Sequence, residues 1–190
     1  YSAIKTASTG SNSNGKWIWN TDTGVISGVS PNALLIDLGR GYNFANAGTI
    51  NVQGDGAVAI SGGTTSYTVQ LVNSGTINVG TAQGKADGTN GTGLIGIKGN
   101  GRETTINNAQ SGVINVYADN SWAFGGQTKT IINNGEINLL CDMGCDIYAP
   151  GTTGTLNDHN STTDIIVPAA TSTPTQGSVP TCLLYTSDAA

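Results

Sequence analysis

Two small clusters hold the side chains best suited to acid–base chemistry. Asp142 and Asp146 stand four residues apart, and Asp158 directly precedes the single histidine, His159. Acid–base catalysis requires carboxylates or a histidine held in fixed positions. We place both clusters in loops, where an exposed charge is the ordinary role of an acidic residue. The sequence also lacks the Gly-x-Ser-x-Gly turn of many serine hydrolases. We therefore predict no catalytic residues and no enzymatic activity.

Two glycine motifs suggest cofactor chemistry but lack its context. Residues 91–96 read Gly-Thr-Gly-Leu-Ile-Gly, which matches the dinucleotide-binding pattern. That pattern needs a helix after it, and the following Ile-Lys-Gly-Asn-Gly is a poor helix start. Residues 54–56 read Gly-Asp-Gly, which resembles part of a calcium-binding nonapeptide, but no tandem copies follow. Turn formation explains them better, and we predict no cofactor and no bound metal.

The composition indicates which elements surround these residues. Gly (28), Asn (20), Ser (15) and Thr (26) form 47% of the 190 residues, and charged residues form 10%. Helical bundles need far more Ala, Leu, Glu and Lys. Seven Lys and Arg residues with a net charge of −5 disfavour nucleic-acid binding. No apolar run approaches the roughly 18 residues of a membrane span. A turn-rich, all-β protein remains.

One short motif recurs four times. Its copies, each ending in Gly-x-Ile-Asn-Val or Gly-x-Ile-Asn-Leu, occupy residues 46–52, 73–79, 110–116 and 133–139. Aligned without gaps, the copies begin with Asn46, Asn73, Gln110 and Asn133. The anchor glycines are Gly48, Gly75, Gly112 and Gly135, at spacings of 27, 37 and 23 residues. We expect these glycines at corners that require a positive φ.

Alternation within the motif assigns its side chains to two faces of a strand. One interior column should contain Ile50, Ile77, Ile114 and Ile137. A second interior column should contain Val52, Val79, Val116 and Leu139, and an outer polar column Asn51, Asn78, Asn115 and Asn138.

Each motif is followed by two further short apolar runs before the next copy, for example residues 57–60 and 68–72. Three short strands per repeat predict a right-handed parallel β-helix of about five rungs over residues 1–168. The competing fold is an antiparallel sandwich, which would not keep one motif in frame from repeat to repeat.

The repeat resembles the passenger domain of bacterial autotransporter adhesins over about residues 25–167. This resemblance implies type V secretion and display at the cell surface, tethered by an outer-membrane β-barrel of the same full-length chain. It further implies non-enzymatic adhesion to a host glycan or matrix protein, or self-association between cells. Both ends are expected to be truncated, because the chain starts at Tyr1 and carries neither a signal peptide nor a barrel. A carbohydrate-active β-helix enzyme and a phage tail spike are the rival interpretations.

Cys141 and Cys145 form a C-x3-C pair. In the oxidising compartment that this route implies, they could form a small-loop disulfide. A metal site is a second possibility, although zinc usually takes four ligands and His159 is distant in sequence. Two free thiols are the third.

The binding surface is the least specified part of the sequence. Tyr117, Asp119, Asn120 and Trp122 surround one loop, where exposed aromatic rings could stack on sugars. Core packing of Trp122 and Phe124 is the favoured alternative. The long spacing before Gly112 indicates an insertion at residues 80–90, which we expect, with the Cys141–Cys145 loop, to carry function.

The C-terminal residues should lie outside the repeat domain. Residues 169–181 have the Pro-, Thr- and Ser-rich composition of a linker. Residues 182–190, CLLYTSDAA, look like a reading frame through a sequencing adapter and are excluded from the fold prediction.

Overall fold

The computed structural model describes residues 1–6, 15–63 and 67–158. The first strands are β1 (Ile4–Lys5), β2 (Lys16–Asn20), β3 (Val25–Val29), β4 (Leu34–Leu38), β5 (Tyr42–Asn46), β6 (Thr49–Gln53), β7 (Val58–Gly62), β8 (Val69–Asn73) and β9 (Thr76–Val79). After helix α1 (Ala82–Ala86) come β10 (Ile95–Asn100), β11 (Thr104–Asn108), β12 (Val113–Val116), β13 (Trp122–Asn133), β14 (Glu136–Leu139), β15 (Asp146–Tyr148) and β16 (Thr153–Asp158). The predicted linker at 169–181 and the segment at 182–190 lie outside the described residues.

These strands wind into a parallel β-solenoid of about five turns, as predicted. Face 1 stacks β3, β6, β9, β12 and β14. Face 2 stacks β1, β4, β7, β10, the first part of β13, and β15. Face 3 stacks β2, β5, β8, β11, the last part of β13, and β16. Because β13 runs through faces 2 and 3, it joins those two stacks into one sheet. Each strand thereby gains a hydrogen-bonded neighbour, which so short a strand needs.

The interior columns on face 1 are confirmed. Ile50, Ile77 and Ile114 pair in register and are fully buried, and Ile137 continues the column at 1% exposure. The second column, of Val52, Val79, Val116 and Leu139, is in register as well. The structure adds Ile26 at the start of the first column, from a strand that lacks the full motif.

The outer asparagine column is also confirmed, and its side chains hydrogen-bond to one another. Asn138, Asn115 and Asn78 each donate from Nδ2 to Oδ1 of the preceding asparagine, at 2.7–2.9 Å. Asn51 ends the column by donating to Oγ of Ser27.

A second, buried asparagine ladder runs where face 3 turns into face 1. Nδ2 of each residue donates to Oδ1 of the next at 2.8–2.9 Å, and each residue is at most 7% exposed. Its members are Asn20, Asn46, Asn73, Asn108 and Asn133. Each of the first four also donates to the carbonyl of the glycine that follows in the turn, at 3.1–3.3 Å.

This ladder corrects the gapless alignment of the third copy. The alignment placed Gln110 with Asn46, Asn73 and Asn133, whereas the structure pairs Asn108 with Asn73 and leaves Gln110 exposed. The turn before Gly112 is two residues longer than the turns before Gly48 and Gly75, so Asn108, not Gln110, reaches the buried position.

The explanation offered for the anchor glycines was wrong. Gly48, Gly75, Gly112 and Gly135 do not have positive φ values. Close packing excludes a side chain instead. A Cβ on Gly75 would lie 2.2 Å from the carbonyl oxygen of Gly48, and one on Gly135 would lie 2.2 Å from that of Gly112. These glycines are needed because the turns of successive rungs stack backbone against backbone.

The turns form three corners. Corner A joins face 1 to face 2 through residues 30–33, 54–57, 80–94, 117–121 and 140–145. Corner B joins face 2 to face 3 through residues 39–41, 63 and 67–68, 101–103, 126–129 and 149–152. Corner C joins face 3 to face 1 and holds the buried asparagine ladder. No helix in the described ranges is long and apolar enough to cross a membrane.

Candidate functional site

Three residues of the predicted binding loop, Tyr117, Asp119 and Asn120, lie at corner A, and Trp122 begins the strand that follows this corner. The corner is built around a column of left-handed residues, one per rung. They are Asn32, Gly56, Gly93, Asn120 and Gly144, with φ between 48° and 74°. Glycine and asparagine adopt this conformation at the least cost, which explains their presence at each turn. The column fixes the direction of each loop, so that the turns stack.

The predicted loop at Tyr117–Trp122 is held against the cysteine loop of the next rung. Oδ1 of Asp119 accepts hydrogen bonds from the backbone N–H groups of Asp142 and Met143, at 2.9 and 3.1 Å. The N–H of Asn120 donates to the carbonyl oxygen of Met143 at 2.9 Å. Asp119 is therefore first a positioning residue for its neighbouring loop. The sequence had not indicated that these two candidate loops lie side by side.

The cysteine loop closes on itself. Sγ of Cys141 and Sγ of Cys145 are bonded, with the Cα atoms 6.2 Å apart. Cys145 packs against the interior, whereas Met143 at the tip is 63% exposed. In the described part of the chain, no three His, Cys, Asp or Glu side chains lie close enough together to hold a metal, and His159 lies outside it.

The predicted insertion contains α1 and is braced by a buried asparagine. Asn90, 5% exposed, accepts from the N–H of Thr81 at 2.7 Å and donates to its carbonyl at 2.9 Å. Its Oδ1 also accepts from Gln53 on the preceding rung at 3.2 Å. The long spacing alone predicted the insertion, whereas its bracing depends on a side chain that no repeat pattern marks.

One lysine joins the insertion to the cysteine loop. Nζ of Lys85 lies 2.8 Å from a carboxylate oxygen of Asp142 and donates to the carbonyl of Leu140 at 2.6 Å. The lysine side chain is 23% exposed and the Asp142 side chain is 68% exposed, so solvent screens this ion pair in part. The insertion, the 117–122 loop and the cysteine loop therefore form one continuous surface at corner A.

The two aromatic residues of β13 have different environments. Phe124 is fully buried, and its ring centroid lies 6.0 Å from that of Tyr148, so its predicted core role is confirmed. Trp122 is only half-buried and is not part of the core, so the core interpretation is wrong for this residue. Trp122 pairs in register with Ile95 and Asp146 on face 2.

The other candidate motifs have structural roles. Residues 91–96 lead into strand β10 and not into a helix. In the Gly-Asp-Gly turn, Oδ1 of Asp55 accepts from the N–H of Thr92 at 2.9 Å, which ties two rungs together. Oδ1 of Asp146 accepts from its neighbour Ile147. Asp158 falls in register with Asn133, at the next position of the buried ladder.

A second aromatic surface lies away from corner A. Trp17 and Trp19 on β2 are 38% and 65% exposed, and their ring centroids are 5.5 Å apart. The alternating Trp-Ile-Trp sequence, with Ile18 packed against the core, was the available signal for this pair.

Comparison with known proteins places this architecture in context. Residues 1–144 match the family model described as the BigA fourth domain. The chain is 76% identical over 181 residues to a Salmonella typhimurium strain LT2 protein, BigA, whose name describes it as a surface-exposed virulence protein. The match covers 95% of this chain and 9% of that relative, so the chain spans less than a tenth of the relative's length. No solved structure matches the chain.

Proposed function

Because the chain belongs to the BigA fourth-domain family, we propose that it is a non-enzymatic adhesion segment displayed on the bacterial surface. The surface-exposed description of the similar Salmonella protein supports the location. We propose further that the chain is a segment of the passenger of an autotransporter tethered to the outer membrane. The partner is a host glycan, a matrix protein or a like cell.

One observation carries this proposal, namely the locked surface at corner A. Three loops from successive rungs are joined by Asp119 and Lys85 through hydrogen bonds and one ion pair, and Asn90 braces the first of these loops internally. Their outer side chains include Tyr117, half-buried, and Asn120, exposed. A surface held rigid before binding loses less conformational entropy when a partner docks. Corner A therefore has the properties of a recognition surface on an otherwise structural solenoid.

A glycan is the partner class best matched to the exposed side chains. Aromatic rings stack on sugar rings, while neutral amides and hydroxyls bond to their hydroxyl groups. Tyr117 and Asn120 supply one of each kind at corner A. A matrix protein could use the same groups, so the two partner classes must be separated by experiment.

Immobilised glycans and matrix proteins provide the direct test. We expect the purified chain to bind a subset of them, and the double variant Tyr117→Ala with Asn120→Gly to lose at least tenfold in affinity. Glycine keeps the left-handed conformation of residue 120, so the backbone should persist. Trp19→Ala is the matched control, because it removes a larger exposed ring at another site. Equal binding by the double variant and the parent would remove corner A as the recognition surface.

The rival enzymatic function needs its own assay. Incubation of the chain with a panel of acidic polysaccharides should release no reducing ends above the level of a heat-denatured control. Turnover on any of them would replace the adhesion proposal with a carbohydrate-active enzyme.

The route of display is tested on whole cells. A tag inserted in the exposed loop at Gly88, where a side chain would meet open space, should be reached by antibody on intact bacteria. Surface labelling that disappears when the C-terminal part of the full-length gene is deleted would support the autotransporter route. Labelling only after lysis would contradict it.

A further inference from the structure

The positive charges of the solenoid are concentrated along one corner. Six of the seven Lys and Arg residues lie at corner B or at the adjoining strand ends, together with only two carboxylates, an excess of four positive charges. The cations are Lys5, Lys16, Arg40, Lys98, Arg102 and Lys129, and the carboxylates are Asp37 and Glu103. The carboxylates pair with Lys5 and Lys129, each at 3.4 Å. Within the described residues, no carboxylate lies in ion-pair distance of Lys98 or Arg102.

Corner A has the opposite charge. Five aspartates lie there or on the first residue after it, against one lysine, an excess of four negative charges. The aspartates are Asp55, Asp87, Asp119, Asp142 and Asp146, and the lysine is Lys85. Asp87 and Asp146 are exposed and, like Asp55, have no cation within ion-pair distance among the described residues. A net charge of −5 for the chain conceals this separation.

Face 2 lies between the two charged corners, because its strands run from corner A to corner B. Half-buried apolar side chains of face 2 occupy one register column beside corner A, which contains Leu34, Ile95 and Trp122 and ends at the exposed Asp146. A second column, nearer corner B, contains Lys5, Asp37 and Lys98. Face 2 thus carries an apolar strip between an acidic edge and a basic edge. Apolar contacts bounded by polar groups are the usual anatomy of a protein interface.

We propose that two copies of this chain pair through face 2 in a parallel dimer, with a twofold axis along the solenoid. In that arrangement the acidic corner of each copy meets the basic corner of the other, and both contacts form at once. An antiparallel pairing through face 2 would instead bring acid against acid and base against base. The charge pattern therefore selects one orientation.

The rungs also agree in height. Asp87 and Arg102 flank the same strand, β10, and Asp119 and Lys129 flank the same stretch of β13. With no axial shift between the copies, the loop that carries Asp87 in one copy faces the turn that carries Arg102 in the second copy, and the loop that carries Asp119 faces the turn that carries Lys129. The other rungs described from corner A to corner B carry a charge at only one of these two corners, so these two rungs set the axial alignment.

The size of face 2 agrees with a weak, salt-dependent dimer. Six strands span about 29 Å and five residues span about 17 Å, which gives roughly 500 Å² per copy. Stable interfaces bury about 800 Å² per partner, so the two corners must contribute to the contact. Because the corners are charged, association should weaken as salt rises. The dimer depends on the proposed function in one respect only, namely that the chain is displayed at the bacterial surface. There, two parallel copies anchored to one membrane could bind a partner bivalently.

Sedimentation velocity of the purified chain at low and high salt tests the pairing. We expect a dimer at about 20 mM salt whose dissociation constant rises at least tenfold at about 500 mM, the range over which salt screens exposed charges. Asp87→Lys alone and Arg102→Glu alone should each weaken dimerisation at least tenfold. The double variant carrying both changes should restore it, because the opposite charges are then merely exchanged. In the described part of the solenoid, neither Asp87 nor Arg102 makes a hydrogen bond or ion pair between rungs, so we expect the variants to fold. Circular dichroism checks that they do.

Each alternative outcome overturns the parallel dimer. Monomers at every salt concentration would exclude it. Stronger association of Asp87→Lys would indicate the antiparallel arrangement. Failure of the double variant to recover would show that these charges do not meet. Binding of a polyanion such as dextran sulfate that is lost in Arg102→Glu, with no dimer, would make corner B a polyanion site. The immobilised-partner assay is run in parallel, since a charge-exchanged variant that still binds host partners separates this proposal from the proposed function.

Discussion

At the scale of single residues, the buried asparagine ladder is unusual because it places a column of polar side chains inside the protein. Asn73 donates to Asn108 and to the carbonyl of Gly75, and it accepts from Asn46. A buried polar side chain without hydrogen-bond partners would lower the free energy of unfolding by roughly 1–3 kcal/mol, whereas each hydrogen bond that is formed raises it by about 1 kcal/mol. Stacking one asparagine per rung satisfies the amides from one turn to the next and holds corner C together.

Removing one member of this ladder should be costly. We expect Asn73→Ala to lower the free energy of unfolding by about 2–3 kcal/mol, because it leaves Asn46 and Asn108 without their buried partners. Asn78→Ala is the matched control in the half-buried outer column, where water can replace the lost bonds, and it should cost less than about 1 kcal/mol. Urea denaturation measures both. Equal losses would show that burial does not distinguish the two ladders.

Glycine has two separate uses at the corners. At Gly75 a Cβ would meet backbone atoms of Ala47 and Gly48, although φ is ordinary. At Gly93 the nearest atom would be 3.8 Å from an added Cβ, so space is available and only the φ of +74° disfavours other residues. Asparagine already occupies equivalent left-handed positions at Asn32 and Asn120.

The two uses predict different tolerances. Gly93→Asn should change stability by less than about 1 kcal/mol, because asparagine adopts the left-handed region readily. Gly75→Asn should cost about 3 kcal/mol or more, since stacked backbone cannot yield to an added side chain. Thermal melts of the two variants give the comparison. A well-tolerated Gly75→Asn would mean that the stacked turns can separate.

At the scale of elements, the strands that could be predicted were those whose sequence motif is the same in every repeat. The Gly-x-Ile-Asn pattern gave β6, β9, β12 and β14 and both their inward and outward columns, because all four strands keep one period. The buried ladder was missed because the turn before Gly112 is longer by two residues, which hides Asn108 from a gapless comparison. The loop contacts at corner A were missed because Asp119 and Lys85 act across rungs and belong to no repeat.

The cysteine loop is the element whose covalent state is directly measurable. We expect peptides containing Cys141 and Cys145 to resist alkylation until a reductant is added, with the Cys182 peptide read separately. Replacing both cysteines by serine should cost at most about 2–3 kcal/mol, because so short a loop gains little from closure in the chain-entropy model. Two alkylated thiols in unreduced protein isolated from the periplasm or cell surface would refute the disulfide.

At the scale of the whole molecule, a solenoid has no single centre, and each rung is stabilised by its neighbours. Its stability is approximately a sum of rung and interface contributions, and about three rungs are the minimum for independent folding. This architecture separates two kinds of information. The repeated residues specify the stack, whereas the charges at corners A and B differ from rung to rung. Composition and repeat pattern therefore predicted the fold, and only the three-dimensional path showed that the charges are separated.

The position of a damaged rung should decide how much of the molecule unfolds. Ile77→Asp places a carboxylate in the fully buried central column and should cost on the order of 3–5 kcal/mol, as for other unpaired buried charges. Because fewer than three complete rungs remain on either side, we expect loss of the whole β-sheet signal in circular dichroism. Ile137→Asp makes the same change on β14, and four face 1 strands precede it, so most of the signal should survive. Thr76→Asp, on the outer side beside Ile77, is the control and should leave the melt nearly unchanged. If Ile77→Asp and Ile137→Asp lost the same fraction of signal, the solenoid would unfold as one cooperative unit, and position along its axis would not matter.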